Sequence, residues 1–162
     1  MKTKHLTTAA LLTALCVVFI SLSCVLPAGS WVLLVAAAMV PAMVVLRCGM
    51  GWGALCYLAA AVLTLLLFPG RFKGLLFVCV LGHYGILKAL IERLRKLPLE
   101  WICKLILFNA TAALCWIAYA KLFAYGLTAP AAWIILLANC IFVIYDMGFT
   151  AMIGWYLRRF PG

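Results

Sequence analysis

The sequence predicts an all-α protein, an integral membrane bundle of six transmembrane helices forming one domain over residues 1–162. Apolar residues make up 70% of the chain and charged residues 10%, whereas a soluble domain is about half apolar and a quarter charged. The apolar residues fall into six runs, each near the ~20 residues that cross a bilayer. Proline, glycine and basic residues punctuate the runs.

Span one is expected at about Leu6–Leu26, closed by Pro27-Ala28-Gly29-Ser30. The start, Met1-Lys2-Thr3-Lys4-His5 before an apolar run, also has the pattern of a signal peptide. The run is long enough to span, so it is read as a retained helix. Span two, about Trp31–Leu46, ends at Arg47-Cys48-Gly49 and carries Pro41, a candidate kink. Span three, about Trp52–Phe68, stops at Pro69-Gly70-Arg71. Span four, about Phe72–Leu94, is the least apolar. Pro98 separates it from span five, about Leu99–Phe123, and Tyr125-Gly126-Leu127-Thr128-Ala129-Pro130 leads to span six, about Ala131–Leu157.

Lysine and arginine favour cytoplasmic loops. Alternate loops carry Lys2 and Lys4, then Arg47, then Arg93, Arg95 and Lys96, then Arg158 and Arg159. Arg71, Lys73 and Lys121 lie on the other side. The expectation is a multi-pass protein of the cell membrane with both termini cytoplasmic and the loops at 27–30, 69–72 and 125–130 outside. The formal charge of +10 would suggest nucleic acid in a soluble protein. At helix ends it fits anionic lipid headgroups, so the bilayer is the expected partner and nucleic acid is not.

The polar residues inside the spans sort by depth. An α-helix rises about 1.5 Å per residue, which puts Lys88 and Asp146 each roughly 24 Å below the outer face and Lys104 roughly 7–8 Å from the inner one. In a core about 30 Å thick these three share a layer in the inner third. Asp146 is one of only three acidic residues, and an intramembrane carboxylate calls for a partner. Pairing with Lys88 and Lys104 is expected, with Glu92 in reach of Lys88 at i, i+4 spacing. The lysines also have the alternative of snorkelling to the inner headgroups.

His83, Asn109 and Asn139 fall near mid-depth, one from each of spans four to six, and Tyr84 and Tyr145 flank these layers. His83, Tyr84, Asn109 and Asn139 are therefore the candidate ligand contacts. Gly82 and Gly85 beside His83 allow close approach of a backbone or a ligand. The competing roles are a hydrogen-bonded core histidine and interhelical amide bonds. Spans one to three read as an apolar scaffold.

Eight cysteines are scattered singly and read as small hydrophobes. No Gly-rich phosphate loop, HExxH or GxSxG occurs, and no second membrane aspartate accompanies Asp146. His5 and His83 lie far apart in depth. No catalytic activity, cofactor or metal site is expected. Six helices without an inverted repeat are few for an autonomous secondary transporter.

Small size, six spans and inward termini point to a module that binds something and relies on partners. In the cytoplasmic half of span one stands Ala10-Leu11-Leu12-Thr13-Ala14, an AxxxA pattern whose small residues permit close helix crossing. Ala38 and Ala42 repeat it in span two. The whole pattern resembles the substrate-binding S components of energy-coupling factor (ECF) transporters. That resemblance implies a site for a small molecule, vitamin-like or a metal ion, opening outward and built from the later spans. It also implies docking of Ala10 and Ala14 on a coupling protein, with two ATPase subunits as further partners. The layer of Lys88, Lys104 and Asp146 lies deeper than such a site and would support it. Two other roles fit the same residues: a non-transporting scaffold or assembly protein, and a small lipid-modifying enzyme using His83 and Asp146 as an acid–base pair.

Overall fold

Hydrocarbon offers backbone amides no water, so each apolar run must close its own hydrogen bonds as a helix. A computed structural model describes residues 2–26, 28–68, 72–92, 97–123 and 132–159. Among the described residues the regular elements are all helices: α1 Lys2–Val25, α2 Ser30–Cys48, α3 Met50–Leu67, α4 Phe72–Ile91, α5 Leu97–Phe123 and α6 Ala132–Arg159. All six are long and apolar enough to cross a membrane. Arg71, Arg93, Arg95, Lys96 and the 125–130 segment lie outside the described residues, as do Pro27 and residues 69–70 of the other two expected outer loops.

The helices run past the apolar stretches into their basic flanks, with α1 starting at Lys2 and α6 reaching Arg159. α2 continues through Pro41. Pro98 sits in the first turn of α5, where a missing N–H removes no helical bond. Between α2 and α3 only Gly49 intervenes, at φ 96°, a conformation that a side chain would strain.

The tightest packing joins α1, α2 and α3. Cys16, Ile20 and Cys24 of α1 meet Leu34, Ala37, Val40 and Val44 of α2, with Cys56 and Ala60 of α3. Lipid tails are as apolar as this core, so close van der Waals contact between small residues holds it. Lys73 of α4 donates to the Ser23 carbonyl at 3.0 Å and stands over the Trp31 ring, tying α4 to the C-terminal end of α1 and the N-terminal end of α2.

α4 is the central helix of the second half. It contains a π-turn, Phe77–Leu81, and the Val78 carbonyl within that turn accepts the Tyr57 hydroxyl at 2.7 Å. A π-turn adds one residue, so the sequence beyond it is rotated by about 100° against an unbroken α-helix. Beyond it, a Cβ on Gly82 would meet the Tyr57 ring at 2.9 Å, and one on Gly85 would meet Ala42 Cβ at 2.7 Å. These glycines let α4 press against α3 and α2. α5 and α6 are peripheral: their most apolar stretches are 11% and 17% buried, against 50% for α4.

Candidate functional site

Two lysines, three carboxylates, a tyrosine and a threonine meet where α4, α5 and α6 converge. Lys88 lies two turns beyond the π-turn, on the face that carries Tyr84. Its Nζ donates to Asp146 Oδ1, to Glu92 at 3.2 Å and to Thr150 Oγ1 at 2.8 Å. The Tyr84 hydroxyl donates to the same Asp146 oxygen. Lys104 of α5 reaches the other oxygen, Oδ2, at 3.1 Å, and contacts Glu100 at 2.9 Å and Glu92 at 3.5 Å. Its ammonium also stands 5.5 Å from the Trp101 ring centre.

Lys88, Lys104 and Asp146 are 1%, 3% and 2% exposed, so both ammonium groups are turned into the bundle rather than out to headgroups. The side chain of Glu92 is 42% exposed and forms the cluster's open rim. All three acidic residues of the chain are drawn to these two lysines. The network leaves one negative charge in excess and clasps three helices together. Such pairing is what lets charges lie buried at all, because an unpaired ion there carries a desolvation cost of several kcal/mol.

Above the cluster is a cavity of about 10 Å³ lined by His83, Tyr84, Thr111 and Tyr145, with Phe108 and Phe142 among its apolar walls. That is room for roughly one water. The Tyr145 hydroxyl is buried with no hydrogen-bond partner. Phe108 and Phe142 stack with ring centres 4.3 Å apart, and Tyr84 sets its edge against Phe142.

Of the four candidate ligand contacts, His83 and Tyr84 border this cavity. His83 stands edge-on to Tyr57, at 5.9 Å between ring centres. Asn109 and Asn139 do not line the cavity; they bond each other, Asn109 Nδ2 to Asn139 Oδ1 at 2.8 Å and the reverse at 3.1 Å. No hydrogen bond joins His83 to Asp146, whose oxygens are occupied by Lys88, Lys104 and Tyr84. Among the described residues no group of three His, Cys, Asp or Glu side chains is placed to hold a metal.

Ala10 and Ala14 line a third feature, an open apolar groove of about 620 Å³ between α1 and α3. Ala9, Thr13, Trp52 and Ala59 are among its other lining residues.

Sequence reasoning missed Glu100 and Thr150 as members of the cluster. Glu100 carries the signal that found Glu92, an opposite charge four residues from a lysine, whereas Thr150 joins through Lys88 of another helix, which no local spacing marks. Tyr57 was not singled out, and no local pattern marks it, because its role depends on the π-turn in another helix.

Six apolar helices with a buried charge cluster define a multi-pass helical membrane protein. No family model matches the chain, and no curated protein or solved structure matches it either.

Proposed function

We propose that this chain is an S-component-like subunit of the cell membrane, with both termini cytoplasmic, that binds a small molecule for uptake by an ECF-type ATP-driven importer. The observation that carries this reading is the groove at Ala10 and Ala14. A cleft of about 620 Å³ with small residues along its α1 side lets a partner helix approach closely. It lies along the N-terminal half of α1, the half that the basic flank assigns to the cytoplasmic side. Docking there would leave the outer ends of α4 to α6 free to receive a ligand.

The ligand, vitamin-like or a metal ion, enters between α4, α5 and α6 in this reading, against His83 and Tyr84. The cavity of about 10 Å³ means that these helices must part to admit it. Parting them breaks the contacts of Asp146 and Asn139 and the stacking of Phe142 on Phe108, so ligand binding must compensate for that loss. The chain itself performs no catalysis in this reading; a coupling protein and two ATPase subunits supply the motor.

The test is a mild-detergent pull-down of the tagged chain from its own membrane, followed by mass spectrometry. Recovery of two ATPases and a coupling protein, lost in Ala10→Trp and Ala14→Trp variants that stay folded, supports the reading. Recovery of the chain alone, with no ligand bound by the purified protein, defeats it. The closed cavity favours a second reading, a non-transporting scaffold or assembly protein. In that case Asp146→Asn and Lys88→Met lower the abundance of the chain and its partners rather than the uptake of any one compound.

A further inference from the structure

Arg47 is exposed at the C-terminal end of α2, and its guanidinium lies 5.3 Å from the ring centre of Tyr156 on α6. Stacking of this kind uses the flat face of the guanidinium and not the N–H donors around its edge. All three acidic residues of the chain are drawn to Lys88 and Lys104, so no acidic side chain is left for Arg47. Arg158 and Arg159 are exposed just beyond Tyr156 and add positive charge at the same end of the bundle. Trp155, beside Tyr156, is 62% exposed, as suits a residue at headgroup level.

From Arg47 an apolar crevice runs back between the two helices. Met39, Met43 and Leu46 of α2 face Phe149, Met152 and Tyr156 of α6 across it. Arg47 and Met39 are separated by about 12 Å of helix. The crevice encloses only about 10 Å³, so it takes a flexible chain lying along it and not a ring system or the ridge of a helix. Three of its side chains are methionines, unbranched and flexible, which reshape themselves around an irregular apolar guest. A cation at the mouth of an apolar crevice, at the end of a membrane helix, matches an amphipathic anion. Lys and Arg favour the cytoplasmic side of a membrane, where the leaflet carries the anionic lipids.

We propose that the seam between the C-terminal ends of α2 and α6 holds one anionic phospholipid, with its phosphodiester on the Arg47 guanidinium and an acyl chain along the methionine crevice. The charges are complementary: the guanidinium fork bonds two phosphate oxygens at once, and Arg158 and Arg159 raise the positive potential around it. A zwitterionic lipid brings no net charge to that field. The bound lipid joins α2 to α6, which meet here through Met39, Ala42 and Phe149. The groove at Ala10 and Ala14 lies between α1 and α3, so this site stands whether or not the chain serves an importer.

The test is native mass spectrometry of the full chain released from micelles containing equal amounts of dioleoyl phosphatidylglycerol and dioleoyl phosphatidylcholine. One phosphatidylglycerol per chain should stay bound, in about tenfold or greater excess over phosphatidylcholine. Arg47→Gln should lower that excess by about fivefold. The Lys2→Gln/Lys4→Gln variant, which removes more charge at another helix end, should leave it unchanged. Met152→Trp fills the crevice and keeps every charge, so it should release the lipid while the melting temperature stays at the wild-type value. Equal retention of the two lipids overturns the proposal, as does a loss in the Lys2→Gln/Lys4→Gln variant as large as that in Arg47→Gln. Lipid that persists in folded Met152→Trp overturns it too, as does the deacylated headgroup, glycerophosphoglycerol, binding as tightly as the whole lipid. A lipid-free dimer of the wild-type chain would place a second copy on the seam and overturn it likewise.

Discussion

Replacing Asp146 with asparagine removes the buried carboxylate that both lysines share, and leaves them the half-exposed Glu92 as their remaining common partner. Lys104 then keeps Glu100 at 2.9 Å and Glu92 at 3.5 Å. Lys88 keeps only Glu92 at 3.2 Å, on a side chain 42% exposed, and the neutral Thr150 hydroxyl at 2.8 Å. The loss therefore concentrates at Lys88. Removing one partner of a buried pair costs about 3–5 kcal/mol, and the surviving contacts put this variant near the low end, at about 3 kcal/mol. Adding Lys88→Met to the same chain removes the stranded ammonium group and replaces it with apolar bulk. The double variant should then be more stable than the sum of the two single losses implies, by about 2 kcal/mol. The assay is unfolding by sodium dodecyl sulfate in mixed micelles, followed by fluorescence of the six tryptophans. An Asp146→Asn cost below about 1 kcal/mol, or single losses that simply add, would refute the argument that Lys88 depends on this carboxylate.

Three further outcomes follow from single contacts. Tyr145→Phe removes a buried hydroxyl that has no partner, so it should leave the melting temperature unchanged or raise it; a loss above about 1 kcal/mol would show that the hydroxyl is satisfied after all. Gly85→Ala brings a methyl within 2.7 Å of Ala42 Cβ and 3.1 Å of Phe149 Cζ and should cost about 1–3 kcal/mol, whereas Gly148→Ala meets nothing within 4 Å and should be neutral or stabilising; equal effects in thermal unfolding would contradict the packing described for α4. Tyr57→Phe removes the hydroxyl that bonds the Val78 carbonyl at 2.7 Å, which should cost about 1 kcal/mol and speed hydrogen exchange across residues 77–83; unchanged exchange there would mean that the π-turn does not need this bond.

The charge layer was legible because depth can be counted along one helix. Lys88, Lys104 and Asp146 come from three helices running in alternating directions, yet a rise of about 1.5 Å per residue puts them level, and the structure joins them. Counting depth also put Asn109 level with Asn139, and they bond each other. The same count grouped them with His83 and Tyr84, because equal depth says nothing about direction around the helix. The asparagines turn to the outer side of α5 and α6, while His83 and Tyr84 face a closed cavity within the bundle.

What the sequence by itself determined is the class of protein, the number and order of its helices and which of the charged groups lie level with one another. These follow from hydrophobicity and helical rise, which are properties of each segment alone. Which face of each helix turns inward was decided only by the tertiary structure. The π-turn at Phe77–Leu81 rotates the rest of α4 by about one residue's angle, and the side chains beyond it then meet α6. The small size of the cavity and the exposure of Ala10 and Ala14 in an open groove depend equally on neighbouring helices. In water an amphipathic stripe would have marked the inner face. In a bilayer the lipid is as apolar as the core, so that stripe is missing and contact between helices alone sets the rotation.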